Sequence, residues 1–378
     1  MSDAAETEEL NLMRDQVRRF VEREIAPNTE KWREEGKVPK ELWHLCGEAG
    51  LLCASMPSEF GGAGGNFRHE AIIIEELMRA GFPDFGLPLH NGIVAPYILA
   101  YGTEEQKQRW LPRLATGELI GAIAMTEPGA GSDLRGIKTS AKTDGNGYKL
   151  SGQKTFITNG QNANLIIVVG KTEADAQNKA VSLFVVETDE VQGFSRGRNL
   201  KKVGQKAADT SELFFDEVRL AGENRLGPEG AGMRQLTQQL PQERLIIAVT
   251  AVGAMEAAIE ETLRYVKDRK AFGQTIAAFQ NTRFTLAEAK TEATIARVFV
   301  NHCIDLLVEE KLDVETAAMA KWWTTQKQNE IIDTCLQLHG GYGYMLEYPI
   351  ARMWADARVQ KIYGGTNEIM KEIIARSL

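Results

Sequence analysis

Leu165-Ile166-Ile167-Val168-Val169 is five apolar, mostly β-branched residues in a row, followed by Gly170, and reads as a β-strand. Residues 181–186 and 213–218 repeat the pattern. Upstream, Asp144-Gly145-Asn146-Gly147 separates two strand-like stretches and reads as a hairpin turn. From residue 119 to about 220 the chain keeps this character, rich in Gly, Thr and Asn, and reads as a small antiparallel barrel or sandwich. Outward from that segment the period becomes helical. Before it, Leu10, Met13, Val17, Val21 and Ile25 form one apolar stripe, and Ile72, Ile73, Leu77 and Met78 another. Pro39 can open a helix and Gly50 close it, and Thr103-Glu104-Glu105-Gln106 is a capping box with Gly117 beyond the last turn. After it, residues 248–266, 282–307 and 316–338 are each long enough for a bundle helix, and their connections are short. Three domains are therefore expected: 1–118 helical, 119–229 β, and 230–378 a helical bundle.

Bulk properties exclude several function classes. A net charge of −8 and a pI near 5.4 argue against nucleic acid as a general partner, though not against an anionic ligand in a local basic pocket. Cys46, Cys53, Cys303 and Cys335 form no C-x-x-C pair and read as buried free thiols; with His44, His69, His90, His302 and His339 scattered, no metal is expected. The start, Met1-Ser2-Asp3-Ala4-Ala5-Glu6, is unlike a signal or transit peptide, and no apolar run reaches membrane-spanning length, so a cytoplasmic protein without membrane insertion is expected. G-x-G-x-x-G and G-x-S-x-G are absent. Residues 147–155 mimic a phosphate-binding loop, but Gln153 separates the glycine from Lys154 and the stretch leads into a strand, so a hairpin strand is the better reading.

Five stretches carry candidate chemistry. Met125-Thr126-Glu127-Pro128-Gly129-Ala130-Gly131-Ser132-Asp133 has glycines that let backbone approach a ligand and hydroxyls that bond to it. Phe156-Ile157-Thr158-Asn159 is, by itself, a strand. Arg269-Lys270-Ala271-Phe272-Gly273, with Gln280 following, is by itself a basic helix end. Gln337-Leu338-His339-Gly340-Gly341-Tyr342-Gly343 and Ile362-Tyr363-Gly364-Gly365-Thr366-Asn367-Glu368 could each be a glycine-rich helix end. In this order and spacing, across almost the whole chain, they resemble the acyl-CoA dehydrogenase family. The likeness is greatest to its long-chain branch, where Leu240-Pro241-Gln242-Glu243-Arg244, Leu338-His339-Gly340-Gly341 and the run from Ile362 to Glu372 read nearly letter for letter.

The resemblance implies an α+β fold: an N-terminal helical domain, a central antiparallel β domain and a C-terminal four-helix bundle. It implies FAD as cofactor and α,β-dehydrogenation of an acyl-CoA thioester, medium- or long-chain, straight or branched, to the trans-2-enoyl-CoA in fatty acid β-oxidation. It also implies an electron-transferring flavoprotein as partner and a homotetramer. Carried over residue by residue, Met125, Thr126, Gly131 and Ser132 line the flavin and its pyrophosphate, with Ser132 also facing the CoA arm. Phe156 and Ile157 stand against the flavin and Thr158 near its N5. Arg269, Gln280, Gln337, Gly340 and Gly341 reach the FAD of a neighbouring subunit, and Thr366 and Glu368 contact FAD at a helix start. Pro241, Gln242, Arg244, Gly364 and Gly365 lie along the substrate, and Glu243, near the start of a long helix, is the base. Two departures stand out: Phe156 occupies a position where many members carry tryptophan, and Gly364 one where some carry their catalytic glutamate. The same likeness places Gly86 and Pro88 near the floor of the acyl pocket, leaving room for methylenes. Two other readings remain at this point. One is an oxygen-reducing acyl-CoA oxidase, against which the absence of room for an extra C-terminal domain speaks. The other is a helical scaffold that has lost FAD, against which Ser132, Thr158, Arg269 and Gln280 speak.

Overall fold

The computed structural model describes residues 3–172 and 180–378; Met1 and Ser2 of the acidic start lie outside them. The N-terminal part holds α1 (Asp3–Phe20), α2 (Thr29–Glu35), α3 (Lys40–Glu48), α4 (Phe67–Arg79), α5 (Leu87–Leu89), α6 (Ala95–Tyr101) and α7 (Glu104–Ala115). The stripe from Leu10 runs down α1 and continues through a π-helical turn, Val21–Ile25; Val17, Val21 and Ile25 are buried. Pro39 caps α3, and Thr103 and Gln106 form both halves of the capping box of α7.

The central part is one twisted sheet built from β1 (Gly121–Ala124), β2 (Ser140–Asp144), β3 (Gly147–Thr158), β4 (Leu165–Thr172), β5 (Ala180–Glu187), β6 (Phe194–Asn199), β7 (Thr210–Ala221) and β8 (Arg225–Leu226), in the order β6-β7-β3-β2-β4-β5-β8 with β1 on β4. The β2–β3 hairpin turns through Gly145-Asn146, with Gly145 at φ +60°. The sheet is mixed rather than purely antiparallel: β1 and the first residue of β2 both pair with β4 in parallel. The chain leaves β1, makes the β2–β3 hairpin, and returns to enter β4 from the same end. β4 is apolar from Leu165 to Val169 because both faces are covered there. Leu165, Ile167 and Val169 pack on the helices through Tyr97, Trp110 and Leu114, while Ile166 and Val168 face Leu150, Leu213 and Phe215 inside the folded sheet.

The C-terminal part holds α8 (Gly232–Asp268), a short hairpin of β9 (Lys270–Ala271) and β10 (Gln274–Thr275), α9 (Gln280–Val308), α10 (Val314–Leu338), α11 (Pro349–Ala357) and α12 (Asn367–Ala375). Residues of α1, α3 and α4 share one apolar core with α8, α9 and α10. The first long helix starts sixteen residues before the apolar period does, at Gly232 rather than 248, and runs through Pro241. Glu243 is therefore in the body of the helix, not near its start. Its opening turns are polar, as in Gln238, Gln239 and Gln242, so apolar spacing could not announce them. All four cysteines are free and buried. Among the described residues no helix is long and apolar enough to cross a membrane.

Candidate active site

Glu243 projects from α8 into the protein and is 6% exposed. The Tyr97 hydroxyl, on α6, donates to Glu243 Oε1 at 2.9 Å. Burial pushes the carboxyl up to about 7, against the Tyr97 hydrogen bond and the Arg244 charge, which favour the ionised form. The neighbouring Gln242 Nε2 donates to Gly92 O at 2.7 Å, so that amide is engaged by the protein. Gly92 sits in a π-helical turn, His90–Val94, whose wide pitch leaves carbonyls for such partners. His90 anchors the turn: its Nδ1 accepts from Gly121 N at 3.0 Å, and its Nε2 lies 3.1 Å from Leu114 O. Burial holds it down at about 4, so it is neutral, and its partners fix the proton on Nε2.

The loop before α12 reaches the same face of α8. Gly364 and Gly365 adopt φ of +64° and +90°, which glycine alone takes without strain. A Cβ at Gly364 would lie 2.3 Å from Ile247 Cδ1, and Ile247 is one helical turn beyond Glu243. Thr366 Oγ1 accepts from Ile369 N at 3.3 Å, capping α12, and Glu368 is exposed in its first turn. From α10, Lys321 Nζ donates to Gly365 O at 2.7 Å. Pro241 is buried in α8. Arg244 is 4% exposed, and its Nε and Nη1 have no hydrogen-bond partner among the described residues.

The Met125–Ser132 stretch is an open loop after β1. Thr155 N donates to Thr126 O at 2.9 Å, and Lys154 Nζ donates to Met125 O at 3.0 Å and Glu127 Oε1 at 2.9 Å. Glu127 also accepts from Lys138 N and Thr139 N; burial opposes its charge, but these hydrogen bonds hold it below the usual carboxylate range. A Cβ at Gly129 or Gly131 would meet nothing within 4 Å. At the end of β3, Phe156 is 66% exposed with φ +59°, Ile157 is buried, and Thr158 is half-buried. Ile157 thus turns its side chain into the core, and only its backbone faces the loop side. Asn159 Nδ2 donates to Gly86 O and Gly121 O, tying this strand end to α5 and β1. A Cβ at Gly86 would lie 2.0 Å from Asn159 Oδ1, so the smallness of Gly86 admits Asn159.

Arg269, Gln280, Gln337, Gly340 and Gly341 are elsewhere. Arg269 lies 26 positions beyond Glu243 at the end of α8, about 39 Å at 1.5 Å per residue. There it stands over the Tyr342 ring at 5.3 Å, beside a cavity of about 500 Å³ lined by Tyr265, His339, Gly340 and Gly341. Gly340 and Gly341 face open space, Gln280 and Gln337 are exposed, and Phe272, at the tip of the β9–β10 hairpin, is 95% exposed.

Three family models divide the chain between them: the acyl-CoA dehydrogenase N-terminal domain over residues 7–118, the middle domain over 122–218 and the C-terminal domain over 230–378. The chain belongs to the acyl-CoA dehydrogenase family. It is 49% identical over 372 residues to the mitochondrial long-chain specific acyl-CoA dehydrogenase of Sus scrofa, covering 98% of this chain and 86% of that one. It is 33% identical to the caffeyl-CoA reductase-Etf complex subunit CarC of Acetobacterium woodii, over 98% of both. The crystal structure of acyl-CoA dehydrogenase from Geobacillus kaustophilus superposes with a TM-score of 0.95 at 48% identity, over 98% of both chains.

Acyl-CoA dehydrogenases are FAD-dependent, and the residues here fit that group. The loop around Gly129 and Gly131 leaves its backbone open to a ligand, beside an exposed aromatic ring, Phe156. The sequence reading missed Tyr97, His90, Lys321 and the Glu127–Lys154 pair. Tyr97 and His90 carry no sequence signal, since each looks like an ordinary helix-core residue. Lys321 does carry one: it is a lone charge in the apolar run Ala317-Ala318-Met319-Ala320-Lys321-Trp322-Trp323.

Proposed function

We propose that this acyl-CoA dehydrogenase desaturates medium- and long-chain acyl-CoA thioesters, straight or branched, with Glu243 as the base that takes the α proton. The observation that carries the reading is a buried carboxylate raised to about 7, beside a glycine turn that offers a backbone donor. A base is most useful when its pKa lies near the working pH. Tyr97 occupies Oε1, and Oε2 has no protein hydrogen bond among the described residues, leaving one oxygen for the proton. As the proton leaves, charge grows on the thioester oxygen, and the Gly364 N–H is the donor this chain offers to it. Bound FAD supplies the acceptor for the β hydride.

Met125, Thr126, Gly131, Ser132, Phe156, the Ile157 backbone, Thr158, Thr366 and Glu368 would hold the cofactor. Pro241 and Gly365 shape the substrate side with Gly364, while Gln242 acts by fixing the turn at Gly92 and Arg244 by its charge beside Glu243. Arg269, Gln280, Gln337, Gly340 and Gly341 serve the FAD of a neighbouring subunit in a homotetramer; the distance of Arg269 from Glu243 along α8 supports this. The likeness to the long-chain specific enzyme of Sus scrofa supports the chain length, and the likeness to an Etf-complex subunit supports an electron-transferring flavoprotein as acceptor.

The test is a panel of straight and branched acyl-CoAs mixed anaerobically with the FAD-loaded protein, followed by flavin bleaching and then by electron transfer to the flavoprotein. Efficiency rising from butyryl-CoA to longer chains is expected. A peak at butyryl-CoA with collapse beyond it overturns the chain-length reading. In a parallel aerobic assay without the flavoprotein, stoichiometric oxygen consumption during turnover overturns the acceptor.

A further inference from the structure

The Gly364-Gly365 turn is held from behind by a lysine. Lys321 is fully buried on α10, and its Nζ reaches Gly365 O at 2.7 Å and Asn367 Oδ1 at 3.0 Å. Asn367 is buried as well and pairs with Thr325 Oγ1 at 3.0 Å, one turn further along α10. The start of α12 is thus tied to α10 at two points, on either side of its Thr366 cap. Placing an ammonium at this depth is costly. Burial and the Arg244 charge push Lys321 down to about 7, and Glu368 offsets this only in part. Packing alone would be served by a neutral side chain at lower cost. What the ammonium adds is a strong donor to one backbone carbonyl, in a turn where two successive glycines leave the chain free to rotate.

We infer that Lys321 is a positioning residue for the reaction: its bond to Gly365 O fixes the two-glycine turn so that the Gly364 N–H is aimed at the thioester oxygen beside Glu243. The inference rests on the assignment of Glu243 as base and Gly364 as donor. It requires no contact between Lys321 and substrate.

Lys321→Met keeps the side chain out to the ε carbon and removes the donor. The full-length, FAD-loaded variant is mixed anaerobically with saturating acyl-CoA. A second sample receives an acyl-CoA analogue with sulfur in place of the β carbon, which can lose its α proton but has no β hydride to give. Misaiming a donor of this kind costs less than deleting it, which is worth about 10²–10³-fold. The limiting rate of flavin bleaching is expected to fall at least tenfold, and the acyl-CoA concentration giving half that rate to change less than twofold. The long-wavelength band formed by the deprotonated analogue against oxidised flavin should fall at least several-fold. A lysine that only fills space would lower the melting temperature and leave rate and band unchanged, and that result overturns the inference. Glu243→Gln is run alongside. If it bleaches at the wild-type rate, the base assignment itself has failed. If it is silent while Lys321→Met behaves as wild type, only the role of Lys321 has failed. Should Lys321→Met not accumulate as yellow protein, Lys321→Leu, which likewise lacks a donor to Gly365 O, replaces it; an unchanged rate and band in that variant overturn the inference equally.

Discussion

The two ends of α8 differ in kind. Around Glu243 the helix is enclosed: Tyr97, Gly92 and the Gly364 turn come from three other elements, and Glu243 Oε1 and the Gln242 amide are engaged by the first two. Around Arg269 it is open: the glycines face empty space, Phe272 and Tyr344 are exposed, and a cavity of about 500 Å³ lies against the helix end. A catalytic group needs a dry, fixed setting to shift its pKa, and one chain provides that at the Glu243 end. The Arg269 end looks like half of a site, with donors and an aromatic ring but no opposing wall. Under the function proposed above, the difference teaches that this chain builds its chemistry internally and leaves part of its cofactor binding to assembly.

The contrast breaks first if Glu243 is not the base. Glu243→Gln should fold and stay yellow yet lose about 10²–10⁴-fold in the limiting rate of flavin bleaching, the usual contribution of general-base catalysis, read by rapid mixing with acyl-CoA. At the open end, Arg269→Ala with Gln280→Ala should leave the Glu243 pocket intact but weaken FAD retention by roughly tenfold or more, since hydrogen bonds to a charged partner contribute about 1.5–3 kcal/mol each. FAD content after gel filtration, with light scattering on the same peak, measures both sides of this. A monomer that keeps all its FAD would show that the open end is not shared.

The enclosed end can be sharpened by pH. With Glu243 raised to about 7, the carboxylate form is lost as pH falls through that value, so kcat/KM should fall on the acid side with a midpoint near 7. The Tyr97 hydrogen bond favours the ionised form, so Tyr97→Phe should move that midpoint upward by about one unit, the equivalent of 1.36 kcal/mol. A midpoint that moves down, or not at all, removes Tyr97 from the electrostatics of the base. The same raised pKa acts on stability. The folded protein holds the Glu243 proton between the ordinary carboxylate range and about 7, whereas the unfolded chain has already lost it, so this group's contribution to stability shrinks as pH rises through that window.

The smallest effect separates two constraints at Gly364. Gly364→Ala meets both a left-handed backbone, costing about 1–2 kcal/mol, and the Ile247 Cδ1. Adding Ile247→Val removes that methyl group. Thermal unfolding should therefore show a drop for the single variant and partial recovery for the pair. Full recovery would mean the backbone at Gly364 is unstrained by alanine.

Local readings succeeded where local physics decides. The Gly145-Asn146 turn, the Thr103 capping box and the β4 strand depend on residues within a few positions of one another, and each stands where its sequence put it. The opening of α8 was not legible, because Gln238 to Gln242 lack an apolar period; they are helical because the site and α6 pack around them. Parallel pairing of β1 with β4 joins residues about forty positions apart, and alternation within a strand carries no information about its partner's direction. The packing of Gly86 was not legible for the same reason: its smallness admits Asn159, far along the chain.

The sequence by itself determined the order of helical and β segments, which rests on periodicity, and the family motifs, whose likeness to known members singled out Glu243 as the residue to examine. Only the tertiary structure decided that Glu243 is buried against Tyr97, that Lys321 stands behind Gly365, and that Arg269 lies at the far end of the same helix. The reason is that burial and long-range hydrogen bonds set a group's charge and aim, and both depend on side chains brought together from distant parts of the chain.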